Sequence, residues 1–271
     1  MGWFHSRAAR RGSASAVERA PRVRVVPDAD ALEAEFRSDI TVELVRSSAG
    51  DSDVLFAARV STQGEQTLAT AAAGTAASDR DRGLINYLMR DRHGSPFEHN
   101  SMTFYVQAPI FVFREFMRHR IASYNEESGR YRELRPVFYV PGPERRLVQV
   151  GKPGAYVFEP GTAEQHALVD ASARSVALAA YASYRRMLDA GVAREVARIV
   201  LPLSLYSSMY VTMNARSLMN FLSLRTTRED SRFPSFPQRE IEMAAEQMEE
   251  HWRALMPLTY AAFEQNGRVA P

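Results

Sequence analysis

At 271 residues and 45% hydrophobic side chains, the chain can bury a sizeable core as one large domain or two small ones. A net charge of only +2 argues against nucleic-acid binding, and the absence of cysteine excludes disulfides, thiolate metal sites and a cysteine nucleophile. No run approaches the roughly 18 apolar residues of a membrane helix and no secretory signal core opens the chain, so no membrane partner and a cytoplasmic location are expected.

Residues 1 to about 36 mix Arg7, Arg10, Arg11, Arg19, Arg22 and Arg24 with Ser, Ala and Pro and show no sustained apolar period, which predicts a disordered extension ahead of a domain over 37–271. An organellar transit peptide would also be Arg-rich, but Glu18 and the broken pattern oppose it. A strand is expected where Ile40, Val42 and Leu44 alternate with Thr41 and Glu43.

His93-Gly94-Ser95-Pro96-Phe97-Glu98-His99-Asn100 follows a predicted helix. Two histidines and a carboxylate invite a metal reading, yet H-E-x-x-H is missing and the histidine spacing is unusual for ligands, so no metal is expected. Two readings stay open, a turn whose Glu98 and His99 satisfy backbone groups and a set of cofactor contacts. Next, Met102, Phe104, Val106 and Ala108 alternate with Thr103, Tyr105 and Gln107 as a second strand.

The apolar run Ile110 to Phe113 leads into R-E-F-M-R-H-R-I-A-S-Y-N-E-E-S-G-R-Y-R, Arg114 to Arg132. Its first half is expected to continue as helix, with Arg114 and Arg118 one turn apart. Its second half, with Asn125, Ser128 and Gly129, favours a turn. Backbone N–H groups, a hydroxyl and the nearby Arg118 and Arg130 suit that turn to a phosphate. A lone charge run usually lies on a solvated face; these arginines are interleaved with Phe, Met, Ile and Tyr beside a strand, which disfavours that reading. Lys152, the only lysine and thus the only Schiff-base candidate, sits in a Gly/Pro-rich loop.

Thr162 with Gln165 forms a capping box ahead of an Ala-rich helix that runs to Gly191. Arg194 and Arg198 stand four apart on one helical face. A third strand, Leu205 to Met213, sets Leu205, Met209, Val211 and Met213 opposite Tyr206 and Tyr210. N-A-R-S-L-M-N-F-L-S-L-R reads as a helix capped by Asn214 and ending on Arg225. Ile241, Ala244, Ala245, Met248, Trp252 and Leu255 recur at helical spacing behind Ser235 and Gln238. Strands and helices do not alternate regularly, so the fold class is α+β, a single domain with a small antiparallel sheet flanked by several helices.

Taken in order, these clusters resemble the flavin-dependent thymidylate synthases. The diagnostic element is Arg118-His119-Arg120, seven residues, then Ser128, and the similarity runs from about Thr41 to the C-terminal helix. The resemblance implies FAD lying across a subunit interface of a homotetramer, with contacts from Ser61, Ser95, Glu98, Arg118, His119, Arg120, Asn125, Glu126, Asn214, Arg216 and Asn220. It implies a nucleotide held by Glu115, Arg118, Glu126, Ser128, Gly129, Arg130, Arg198 and Arg225. Arg225 would stabilise negative charge on the uracil ring as N3 loses its proton, and His93 would lie where folate meets flavin. The implied reaction is reductive C5-methylation of dUMP, with 5,10-methylenetetrahydrofolate as carbon donor and NADPH as reductant of the FAD. The alternative is the same chemistry on UMP. A remoter alternative, a non-catalytic Arg-rich nucleic-acid-binding protein, predicts a colourless protein whose binding falls steeply with salt.

The resemblance agrees with the chemistry. Uracil C5 is a poor nucleophile, and without a cysteine to add at C6, activation has to come from a preorganised cation facing the developing enolate, with the cofactor supplying electrons. Two departures stand out. Glu115 replaces a glutamine found in many relatives. The Pro-rich stretch between Arg225 and Gln238, T-T-R-E-D-S-R-F-P-S-F-P, is longer than in the shortest relatives and could reshape the folate or pyridine-nucleotide entrance.

Overall fold

The computed structural model describes residues 33–64, 78–152 and 155–271. The expected extension lies outside the described residues up to residue 32. Its final residues are described: Glu35 and Phe36 belong to β1 (Glu35–Arg37), which runs parallel to β5 (Val137–Tyr139).

The central sheet has the order β2-β3-β8-β4 and is antiparallel throughout. Its strands are β2 (Thr41–Ser48), β3 (Ser101–Pro109), β4 (Ser123–Glu126) and β8 (Tyr206–Met213). The alternation read in the sequence is the sheet's two-sidedness. Met102, Phe104, Val106 and Ala108 are wholly buried, whereas Thr103, Tyr105 and Gln107 are half-buried on the other face. On that face Thr103 and Thr212 hydroxyls meet at 2.9 Å, and the Tyr105 and Tyr210 rings lie 5.8 Å apart. Val45 has no partner where the β2–β3 register slips, and it is exposed as a bulge residue would be.

The apolar face is covered by α3 (Ile110–Phe116), α6 (Ala215–Arg225), α7 (Arg239–Leu255) and α8 (Pro257–Gln265). Phe113, Phe116, Leu218, Phe221, Leu222, Met248, Trp252 and Phe263 are completely buried there. α1 (Asp51–Gln63) and α2 (Asp79–Arg90) close one end, α2 starting from a capping box of Ser78 and Asp81. Asp51 accepts hydrogen bonds from the main-chain N–H groups of Leu258 and Thr259 and from the Thr259 hydroxyl, at 2.8, 2.9 and 2.6 Å. One carboxylate thereby starts α1 and caps α8, 207 residues away.

A smaller core joins α4 (Ala163–Asp189) to β5. Ala177, Tyr181 and Tyr184 pack on Leu134, Phe138 and Leu205, and both tyrosine hydroxyls bond the Leu134 main chain. The Thr162–Gln165 capping box is present, and Gly191 follows the helix with φ of 81°.

Three local expectations are corrected. The helix expected through Arg118 stops at Phe116, because Tyr124 brings its hydroxyl within 2.7 Å of the Phe116 and His119 carbonyls. Asn125, read as a turn residue, lies in β4, where the open edge of β8 supplies its hydrogen bonds. Arg194 and Arg198 do not share one α-helix: α5 (Arg194–Ala197) is a single turn, and a 3-10 turn takes over at Arg198. The hairpin of β6 (Val148–Lys152) and β7 (Ala155–Glu159) was not anticipated, and Lys152 ends a strand of it.

Replacing Asp51 with alanine removes three hydrogen bonds to a charged acceptor. The expected loss is on the order of 2–3 kcal/mol of stability in denaturant unfolding. An unchanged midpoint would mean that α8 is docked by its apolar face alone.

Candidate active site

α6 carries the site along its length. Arg216 stands in its first turn and Arg225 at its end, nine residues apart, or about 14 Å at 1.5 Å per residue. Asn214 caps the helix by accepting from Ser217 N at 2.9 Å, as its sequence predicts. Asn100, unassigned in the sequence reading, accepts from Ala215 N at 2.8 Å and so ties the 93–100 segment to the start of α6.

At the end of α6 the Arg225 side chain is only 17% exposed. Its Nη1 lies 2.5 Å from Glu115 Oε2, and its Nε donates to His119 Nε2 at 3.0 Å. An arginine N–H can only donate, so His119 Nε2 is an acceptor and the ring is neutral, its proton on Nδ1. Burial, reinforced by the neighbouring Arg225 charge, pulls the His119 pKa from 6.5 down to about 4. The imidazole is held by packing as well. It meets the Phe221 ring edge-on at 4.9 Å, and Phe221 stacks on Phe116 at 5.0 Å. A cavity of about 600 Å³, lined by Arg225, Ser223, Phe233, Phe236 and Arg268, opens beside this cluster.

At the start of α6, Arg216 pairs with Glu98 at 2.5 Å and donates from Nε to the Pro271 main-chain oxygen at 2.6 Å. Glycine at position 94 lets the guanidinium lie close, since a Cβ there would fall 2.6 Å from the guanidinium carbon and push Arg216 aside. His93 is exposed and stacks on Tyr87 with ring centroids 5.6 Å apart. Ser95 and Asn220 are exposed nearby in sequence, and Asn220 donates to the Arg216 carbonyl. Hydroxyl, amide and guanidinium groups of this kind are donors that a dinucleotide's diphosphate uses. Of the two readings left open for the 93–100 segment, Glu98 satisfies a side-chain guanidinium rather than backbone groups.

A third group surrounds the turn after β4. The Ser128 carbonyl accepts from Tyr131 N and Arg132 N, and its hydroxyl accepts from Arg130 N at 3.3 Å. A Cβ on Gly129 would meet Leu134 at 2.8 Å and the Arg198 side chain at 3.2 Å, so glycine lets Arg198 approach the turn. Arg130 pairs with Glu195 at 3.0 Å. Burial raises the pKa of Glu126. A cavity of about 400 Å³ is lined by Tyr105, Asn125, Glu126, Ser128, Arg132 and Tyr210.

The Arg225 and Ser128 groups line different hollows, and the Arg216 group lines neither of the two. The Arg225 cavity lacks Ser128 and Glu126, and the Ser128 cavity lacks Arg225. Arg118 and Arg120 are exposed and in no ion pair with described residues; Ser61 is exposed in the last turn of α1, without a hydrogen bond to any of the three groups. A hollow of about 670 Å³ between the β6–β7 hairpin and α7 contains none of the expected site residues. No group of three or more metal-ligating side chains gathers among the described residues, and no described helix is long and apolar enough to cross a membrane. Glu195 and Tyr87 escaped the sequence reading because nothing local marks a pairing across 65 residues or a stacked ring.

Comparison with known proteins gives a family-model match over residues 43–258, described as thymidylate synthase complementing protein. The chain is 68% identical over 244 residues to a flavin-dependent thymidylate synthase of Streptomyces coelicolor, covering 90% of this chain and 98% of that one. It is 64% identical over 236 residues to that of Tropheryma whipplei strain TW08/27, covering 87% and 97%. A crystal structure of the UMP/dUMP methylase PolB from Streptomyces cacaoi bound with 5-Br dUMP superposes with a TM-score of 0.81 at 58% identity, over 88% of this chain and 100% of that one. The same methylase bound with 5-Br UMP gives 0.80 at 56%, with the same coverage.

The neutral His119 has a pH signature. The unfolded ring takes a proton near pH 6.5 and the folded one only near 4, so between these values the unfolded state binds the extra proton. Its contribution to stability is complete above 6.5 and is lost as pH falls toward 4. In His119→Gln, which does not titrate, the stability loss over that window should flatten when denaturation midpoints are followed against pH. Parallel curves for the two proteins would show that folding does not hold the ring neutral.

Proposed function

The chain belongs to the flavin-dependent thymidylate synthase family, and from that membership we propose that it converts dUMP to dTMP, with methylenetetrahydrofolate as carbon donor and NADPH as reductant. The enzyme is an FAD-dependent methyltransferase. The observation that carries the proposal is Arg225, a largely buried guanidinium oriented by Glu115 and a neutral His119 in a chain without cysteine.

Each group of the site has a task in this reading. The turn at Ser128, with Gly129, Arg130 and Arg198, takes the nucleotide phosphate through main-chain N–H groups and guanidinium charge. Arg225 faces the uracil, where its planar donors stabilise charge that develops as N3 is deprotonated and C5 becomes nucleophilic. Glu115 holds that guanidinium in place, which gives the carboxylate a role a glutamine would fill less strongly. His119 stays neutral beside Arg225, so the two do not repel. FAD would be held by Ser61, Ser95, Glu98, Arg118, His119, Arg120, Asn125, Glu126, Asn214, Arg216 and Asn220, with the Arg216 guanidinium, which lies against Gly94, as a donor to its diphosphate. When bound it supplies the electrons that reduce the transferred carbon to methyl. His93, exposed against Tyr87, is assigned to the place where folate meets the flavin.

The separation of the three groups in one chain supports an assembly in which copies complete one another's sites, a homotetramer. Exposed Ile121, Tyr131 and Ile199, close in sequence to the predicted phosphate and flavin residues, offer apolar surface for such contacts. The second substrate reading, UMP, is favoured by one observation: the similar crystal structures are of a methylase of both UMP and dUMP.

The purified protein should be yellow, tetrameric by light scattering, and should turn over dUMP with methylenetetrahydrofolate and NADPH at a higher kcat/KM than UMP. A higher value with UMP would reverse the substrate assignment. A colourless protein inactive on both nucleotides when supplied with FAD would end the proposal, and a monomer retaining flavin and full activity would end its tetrameric part.

A further inference from the structure

Arg225 is followed by a residue with no free polar atom. Thr226 is 1% exposed. Its N–H and hydroxyl both donate to the Leu222 carbonyl, at 3.0 and 2.7 Å. Its carbonyl accepts from the Ser235 hydroxyl at 2.6 Å, and its Oγ1 accepts from Arg268 Nη2 at 3.0 Å. The helix end is thus fastened to the Pro-rich stretch on one side and to residue 268 on the other.

Arg268 is the unusual partner. It is 2% exposed, its backbone has φ of 57°, and non-glycine residues keep that conformation only where surroundings hold it. Nη1 lies 2.6 Å from Glu249 Oε1 and is also paired with Glu264, while Glu249 takes Arg228 at 2.8 Å. A buried ion network of this kind gives stability that an apolar residue of similar volume would match or exceed. An apolar residue could not hold the Thr226 hydroxyl. The adjoining main chain bonds elsewhere at the same site: Gly267 accepts from Arg232 N, and Pro271 accepts from Arg216. Residues 267–271 therefore touch both ends of α6.

The geometry points to Arg268 and Thr226 as positioning residues for Arg225, a clamp that fixes the end of α6 so that the guanidinium keeps its place when nucleotide enters. This rests on the reading of Arg225 as the group facing the uracil. Glu115 and His119 hold the side chain of Arg225. The clamp holds the next residue, by its main-chain carbonyl and its hydroxyl.

The test is a double-mutant cycle with Arg225→Ala. Thr226→Val deletes one hydroxyl and Thr226→Ser keeps it; Arg268→Met deletes the donor. Flavin content, nucleotide affinity, single-turnover oxidation of reduced flavin by nucleotide and folate, and amide exchange at 226 and 227 are measured in each. Thr226→Val and Arg268→Met should slow the single turnover on the order of 10–100-fold, as a small misplacement of a catalytic group does, with nucleotide affinity changed by less than about threefold. Thr226→Ser should restore the rate. In the Arg225→Ala background, Thr226→Val should add nearly nothing. Exchange at 226 and 227 should quicken in both clamp variants. If Arg268→Met fails to fold, the Thr226 pair decides. Equal slowing by Thr226→Val in both backgrounds, or an unchanged rate despite faster exchange, overturns the clamp. An Arg225→Ala variant at the wild-type rate instead overturns the role of Arg225, and the exchange data separate that failure from the first.

Discussion

A cation stabilises charge on a substrate effectively only if it is already in place when the charge appears, and Arg225 is in place because two helix ends converge on it. The Phe116–Phe221 stack brings the end of α3 against α6, and from that contact Glu115 and His119 reach the guanidinium. The contact belongs to the main core, so the site inherits its rigidity from the packing that holds the sheet to its helices. The remaining devices serve the same end: Asn214 and Asn100 at the start of α6, the Thr226 contacts at its finish.

Charge balance around Arg225 has a chemical consequence. A protonated His119 beside a guanidinium would add repulsion in a half-buried place, and burial prevents it. Among the described residues Glu115 contributes the only negative charge in direct contact with Arg225, and it offsets the guanidinium charge. In the proposed reaction a uracil anion would compete with this carboxylate, and a charged ring would displace Glu115 from the guanidinium more readily than a neutral one, so that binding energy would be realised late on the reaction path.

Strands β2, β3 and β8 were legible in the sequence because apolar side chains of one face alternate with more polar ones of the other, and the period of two is written in their side chains. β4 was not, since Ser123 and Asn125 favour turns and Glu126 is a poor strand former, and only the open edge of β8 makes them a strand. The end of α3 was invisible for a similar reason: Met117, Arg118 and His119 contain no helix breaker, and the stop is imposed by Tyr124. In the β6–β7 hairpin, Val148 and Val150 alternate, but Gly151 interrupts the pattern. Of the site, α6 with its Asn214 cap and terminal Arg225 could be read directly. The pairing of Arg225 with Glu115, across 110 residues, could not, because a pair brought together by core packing leaves no local mark.

The measurement closest to the central claim separates binding from chemistry at Arg225. Nucleotide affinity and the single-turnover rate of flavin oxidation by nucleotide and folate are determined for Arg225→Ala and Arg225→Lys. A preorganised donor acting on developing charge predicts a rate lowered on the order of 10²–10³ in Arg225→Ala, with affinity much less affected. Rescue by lysine should be poor, since an ammonium lacks the planar pair of donors. A wild-type rate in Arg225→Ala, accompanied by weak nucleotide binding, would contradict the account and leave Arg225 a binding residue only.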